Sequence, residues 1–237
     1  MNRLITADQK VSEIVLDNPY FILMLEHFGI GLVVHEKTLE QICLEYGIEV
    51  RLLLTFANLF NGIDTITYSS LSHDNVPIII QYLKTSHQYY REEKLPRISD
   101  LIEEMGKLNT SQEIRLVRKF FREYRDEIEA HLNYENEVVF PYILGLYHAL
   151  AQRKCDFSSD YSVKVYQEHH NDIEEKLTDL KNLLIKYLPL QDDQQVRRRL
   201  LFSLFELEYD LNIHSRIEDE IIIPLSESME RQHQTGT

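Results

Sequence analysis

Tryptophan is missing from this 237-residue chain, cysteine occurs twice, and glycine (7) and proline (6) are scarce. Each shortage excludes something. Two cysteines, Cys43 and Cys155, cannot build a disulfide framework or a thiolate zinc site. Few turn-formers over this length favour long helices and few loops. Basic residues are outnumbered 25 to 39, for a net charge of -14. That deficit argues against a nucleic-acid backbone as the main partner, because phosphate binding needs a basic footprint. It equally disfavours docking on an anionic membrane surface. No apolar run approaches the roughly 18 residues of a membrane span. The opening MNRLITADQK carries no apolar stretch of the signal-peptide kind. Hydrophobic residues make up 43% of the chain, enough for a proper core. The expectation is a reduced, cytoplasmic, mostly helical protein.

Residues 1–60 read as a small module of short helices. Val11, Ile14 and Val15, then Phe21, Ile22, Leu25 and Phe28, recur at helical spacing. Asn18-Pro19 separates the first two segments, and Gly29 and Gly31 stop the second. Thr38-x-x-Gln41 is a capping-box pattern opening a third helix, which Gly47 ends. Ile48 to Phe60 is a fourth. Residues 61–75, with Gly62 and YSSLSHDN, read as a linker. Four longer segments follow, at about 76–106, 111–150, 160–188 and 193–230, with apolar residues at helical spacing. Their short gaps make neighbours antiparallel, which predicts a four-helix bundle over 76–230.

Compared with itself, the chain repeats. HLNYENEVVFPYI starts at His131 and HSRIEDEIIIPLS at His214. Both read His-x-x-x-Glu-x-Glu, three large apolar residues, then proline. The pairs His131/His214, Glu135/Glu218 and Pro141/Pro224 are each 83 residues apart, and so are His87 and His170. His87 and His170 lie on apolar helix faces, with Ile80, Leu83 and Tyr90 around the first and Val163, Tyr166, Ile173, Leu177 and Leu180 around the second. An inward imidazole without a partner is costly. At i,i+4, His131 and Glu135 share a face about 6 Å apart along the axis, as do His214 and Glu218. Nitrogen and carboxylate donors converging in a bundle core suit iron or manganese, and a carboxylate can bridge two metals. The shortage of thiolates argues against copper(I) or structural zinc. A single His-x-x-x-Glu is ordinarily a surface pair. Two copies with matching sequels, and two inward histidines at the same offset, point to a metal centre. The competing reading is a bundle that kept its helices and lost its metal.

These residues resemble the hemerythrin-like HHE cation-binding proteins, and more closely the di-iron repair-of-iron-centres family of the YtfE/ScdA type. The family's HM-x-x-EE-x-x-LFP motif falls on His131, Glu135 and Phe140-Pro141. Its HI-x-x-EN-x-x-LFP motif falls on His214, Glu218 and Pro224. Its EH falls on His169-His170, and its first histidine, followed by LP, on His87 with Leu95-Pro96. The N-terminal part is carried by Val11-Ser12-Glu13-Ile14-Val15 and Phe28-Gly29-Ile30. The resemblance implies an all-α fold: a hemerythrin-like antiparallel four-helix bundle preceded by a small helical N-terminal domain. It implies two irons per chain, with manganese or zinc as substitutes, held by His87, His131, Glu135, His170, His214 and Glu218. It assigns no catalytic residue. It implies repair of iron–sulfur centres or a response to nitric oxide and oxidative stress. The alternative is an oxygen, nitric oxide or iron sensor that binds without turnover. A small diatomic ligand and a protein partner of the N-terminal domain are the partners implied.

Two departures stand against that pattern. The family's Cys-Cys pair after the FGI turn is replaced by Gly31-Leu32-Val33-Val34-His35. The fifth family histidine has no counterpart in 104–112; water, Glu103 or Glu104 are candidate substitutes. Of the remaining residues, His169 is about 100° round the helix from His170 and reads as a neighbour of the ligands. Glu137, Glu220, His73, His148, His233 and the run Arg197-Arg198-Arg199 read as solvated. Tyr90, Tyr134 and Tyr166 flank ligand positions by one turn. They read as core packing, with the option of a hydrogen bond to a ligand.

Overall fold

The computed structural model describes residues 3–63, 71–152, 161–169 and 175–235. The described residues contain helices and no strand; one isolated bridge joins Lys10 and Thr38. The chain is all-α: an antiparallel four-helix bundle preceded by short helices.

Four short helices open the chain: α1 (Val11–Asp17), α2 (Phe21–His27), α3 (Leu39–Tyr46) and α4 (Val50–Phe60). The capping box at Thr38 forms, its hydroxyl accepting from the Gln41 N–H and the Gln41 side chain accepting from the Thr38 N–H. Gly47 ends α3 at φ +65°, a left-handed position that favours glycine. Helix α4 is apolar nearly all round, and Leu52, Leu53 and Thr55 through Phe60 are buried. A helix of that kind belongs in a core. Asn58, one of two polar residues in that run with Thr55, bonds the backbone N–H and carbonyl of Ile5.

Four helical rods follow. The first spans 76–108, the second 113–151 and the fourth 194–235. The third comprises Val163–His169 and 175–187. Each contains one widened turn, at Tyr90–Lys94, Glu135–Val139, Leu183–Tyr187 and Glu218–Ile222. In each, the residue just after the turn donates its N–H five residues back: Leu95 to Tyr90, Phe140 to Glu135, Leu188 to Leu183, Ile223 to Glu218. The next residue is proline every time: Pro96, Pro141, Pro189 and Pro224. Proline offers no N–H and its ring crowds the residue before it. A wider turn relieves both at the cost of one regular bond, and such turns gather at functional sites.

Two compact units divide these residues: 1–85 with 142–163 and 213–237, and 86–141 with 164–212. In the first, the short helices meet the start of the first rod. Phe28, Phe56 and His27 pack on the Tyr82 ring, with centroids 4.7, 4.8 and 5.3 Å away. In the second, all four rods share one apolar core, including Ile98, Ile102, Val117, Phe121, Leu177, Leu184, Leu200 and Leu207. That unit is closed by a polar knot. Asp193 is fully buried and accepts from Arg197, from the Asn109 side chain and from the Gln191 N–H. Arg197 also donates to the carbonyls of Leu188 and Pro189, both at 2.8 Å. The arginine run is therefore not one solvated face. Arg197 turns inward to hold the end of the third rod, while Arg199 pairs with Glu104.

Candidate metal centre

The widened turns in the second and fourth rods begin on the two repeated glutamates, Glu135 and Glu218. Both carboxylates are fully buried. Around Glu135 stand two imidazoles. His131 Nε2, one turn earlier on the same rod, is 3.1 Å from Oε1. His87 Nε2, from the first rod, is 3.4 Å from Oε2. The Tyr166 hydroxyl donates to Oε1 at 3.1 Å. On the fourth rod, His214 Nε2 lies 3.3 Å from Glu218 Oε1. The His87 ring stacks on Phe140, centroids 5.4 Å apart and planes 25° off parallel. Phe140 is the last of the three apolar residues after Glu135, so that part of the repeat fixes an imidazole.

One donor atom from each of His87, Glu135, His214 and Glu218 lies within 4.8 Å of the other three, and all four residues are buried. Two buried carboxylates need a compensating cation, because an uncompensated buried charge costs several kcal/mol. Protonated imidazoles or a metal ion can provide it. A donor set of imidazole nitrogens and carboxylate oxygens without sulfur fits iron or manganese. The two oxygens of Glu135 face two different imidazoles.

Of the six residues expected to bind metal, the structure brings His87, Glu135, His214 and Glu218 together and places His131 against Glu135. His170 and Cys155 lie outside the described residues, as does the side chain of His169. Neither suggested substitute for the fifth histidine is at the cluster. Glu103 pairs with Arg118 and Glu104 with Arg199, both on exposed faces. Glu137 is exposed, whereas Glu220 is half-buried against Arg216 at 2.8 Å. His148 is exposed, and His73 is half-buried beside the Ser228 hydroxyl at 3.1 Å.

The Tyr166 bond to Glu135 Oε1 takes up the option that the sequence left open at that residue. Sequence pattern missed Lys94, 4% exposed inside the first widened turn and paired with Glu206 at 2.6 Å. Burial pushes its pKa below the usual lysine value, against the opposing pull of Glu206. The Tyr89 hydroxyl donates to the same carboxylate at 2.7 Å. The signal was a lysine following Tyr90 by one turn on the inward face. Cys43, by contrast, is inert: burial raises its thiol to about 11.

Residues 78–186 match the family described as the hemerythrin HHE cation binding domain. That stretch resembles a hemerythrin-type HHE cation-binding domain. The iron–sulfur cluster repair protein ScdA of Staphylococcus haemolyticus (strain JCSC1435) is 22% identical over 222 residues, covering 92% of this chain and 98% of the relative. The family match includes His87, His131, Glu135 and His170 and ends before His214 and Glu218. Those two are supplied by the internal repeat. Among the described residues no helix is long and apolar enough to cross a membrane.

Proposed function

We propose that the chain is a di-iron protein that acts in the repair of iron–sulfur centres or in the response to nitric oxide and oxidative stress. His87, His131, Glu135, His170, His214 and Glu218 are the ligands in this reading, with the two glutamates shared between the ions. The observation that carries it is the buried group of His87, Glu135, His214 and Glu218, with donor atoms within 4.8 Å of one another. The relative's name supports the repair role. Iron held there would supply one-electron chemistry and bind a diatomic ligand such as oxygen or nitric oxide. The protein's own part is to hold the imidazoles, through contacts such as Phe140 on His87, and to keep water out. Residues 1–60 form a small helical domain that meets a protein partner and 76–230 the metal-binding bundle, acting in the cytoplasm; the linker expected at 61–75 lies partly outside the described residues.

A second reading is favoured by one observation. Gly31 to His35 replaces the family's Cys-Cys pair, so thiol chemistry at that turn is missing. The chain is then a sensor that binds a diatomic ligand without turnover. Elemental analysis of the purified protein is the first test: two irons per chain support the centre, and none overturns it. Incubating the iron-loaded protein with an iron–sulfur enzyme damaged by nitric oxide separates the readings. Recovered enzyme activity supports repair; ligand binding without recovery supports the sensor.

A further inference from the structure

Exposed apolar side chains gather on one face of the second unit, where the third and fourth rods run side by side. Lys181 marks the seam: its ammonium pairs with Glu208 and lies 4.7 Å from the centroid of the Phe205 ring. Ile185, one turn on from Lys181, is 59% exposed. Phe202, one turn before Phe205, is 68% exposed, and Phe205 itself 41%. Residues three and four apart on a helix are neighbours, so the three belong to one patch. With about 150–250 Å² to a large side chain, their exposed fractions amount to about 300 Å² of apolar surface. A patch of that size on a monomer is commonly an interaction site. A standard interface takes about 800 Å² per partner, roughly three-fifths of it apolar. These three residues alone cover more than half of that apolar share.

The charges around the patch complement themselves. Arg197 turns inward and Arg199 pairs with Glu104, whereas Arg198, between them, is exposed and takes part in no hydrogen bond or ion pair among the described residues. Eight residues on, Glu206 receives Lys94 and the Tyr89 hydroxyl, both on Oε1. Its Oε2 is left for a donor from outside. Phe202 lies midway, four residues from Arg198 and four from Glu206. Two copies of the fourth rod laid antiparallel about Phe202 therefore set Arg198-Arg199 of each against Phe205-Glu206 of the other. A guanidinium suits both, since it pairs with carboxylates and stacks on aromatic faces. A twofold contact needs this self-complementarity, and aromatic residues and arginine are enriched in interfaces. We propose that the face around Ile185, Phe202 and Phe205 is the interface of a twofold homodimer, with Phe202 at the axis.

The test is sedimentation equilibrium of the full chain at tens of micromolar. The wild type is expected at the mass of two chains. F202E puts two like charges at the axis and is expected to raise the dissociation constant of the dimer by roughly 30-fold or more, the loss seen at an interface hot spot. R198E sets a carboxylate against Glu206 of the partner subunit and is expected to act in the same direction. L116E, at an exposed leucine of the second rod, is expected to leave the dimer intact. Phe202 and Arg198 are exposed, so both variants should keep the fold, which far-ultraviolet circular dichroism checks. Should one of them not fold, the other decides. A monomeric wild type overturns the proposal and leaves the patch to a different protein. A dimer that F202E and R198E do not weaken overturns it as well, because the contact then lies elsewhere, and so does an L116E that dissociates the dimer equally. No step of the test involves metal, so its failure leaves the proposed function standing.

Discussion

Glu135 and Asp193 are fully buried carboxylates of the same compact unit, and they are answered in opposite ways. Asp193 meets a permanent cation, Arg197, with Asn109 and the Gln191 N–H completing its shell. Glu135 meets imidazoles and a phenol, none of them permanently charged. The first carboxylate has its counter-ion built into the chain. The second faces groups that can hand their place to an ion from outside. Burial and functional group are the same; the chemistry of the neighbours separates a structural carboxylate from a candidate metal ligand.

The comparison breaks first, and with the largest effect, at His131. His131→Ala is expected to lower metal content by roughly tenfold or more, since it removes a ligand beside Glu135 and strands a buried charge. His148→Ala, on an exposed surface, leaves metal content unchanged. Equal metal in the two variants, measured by elemental analysis, removes His131 from the centre.

Asp193→Ala tests the other side. Breaking a buried ion pair costs about 3–5 kcal/mol, or roughly 6–12 °C of melting temperature at the lower end of that range in a chain of this size. Metal content is expected to stay at wild-type level. Burial raises the Asp193 pKa, but the bonds from Arg197, Gln191 and Asn109 outweigh it and hold the carboxyl below its usual range. Its contribution is therefore complete above the unfolded value of about 3.9 and is lost as pH falls through the lower folded value. The gap between the thermal melts of the two proteins should begin to close below about pH 4 and narrow as pH falls further. A gap that stays constant there counts against the ionic account.

Stripping the metal sharpens the contrast further. A ligand at 100 times its dissociation constant stabilises by about 2.7 kcal/mol. A chelator should thus lower the melting temperature of the wild type and of Asp193→Ala by the same amount, because the two clusters share no partner and their effects add. Unequal shifts show that the clusters are coupled. The smallest effect is expected at Gly106, where a Cβ would meet the flexible end of Arg118 at 2.1 Å. Gly106→Ala displaces that guanidinium from its exposed contact with Glu103, a pair worth about 0–1 kcal/mol. The gain in helix propensity is similar. A shift above about 1 kcal/mol in a chemical denaturation would mean that Arg118 cannot move aside.

Much of this was legible in the sequence, for physical reasons that differ by residue. Helical spacing, the capping box at Thr38 and the prolines marked the elements, because those signals are local. The 83-residue offset picked out His87, Glu135, His214 and Glu218, which the fold gathers into one buried cluster, because a repeated pair of side chains leaves a repeated pattern. Arg197 was misread, since adjacent arginines look alike until the carbonyls of the third rod are in place. Glu103 and Glu104 failed as substitute ligands for the same reason: their faces are decided by Arg118 and Arg199. Tyr166 could be noted as one turn from His170, yet which carboxylate it reaches depends on how the rods register. The widened turns were not seen at all, although an X-Pro step in every rod was the available sign.

Those widened turns also record an order of events. A wide turn is what remains when one residue is added to a regular helix. In the second and fourth rods it starts at Glu135 and Glu218, 83 residues apart like the histidines and prolines beside it. In the first and third rods the starts, Tyr90 and Leu183, are 93 apart and do not keep that offset. If the two halves descend from one ancestral hairpin, the added residue at the glutamate is older than the doubling. The mismatched pair was then rearranged after it. In that history the glutamate turn came as part of the inherited unit, and the pair Tyr166 and Leu83, also 83 apart, marks a place where the copies diverged.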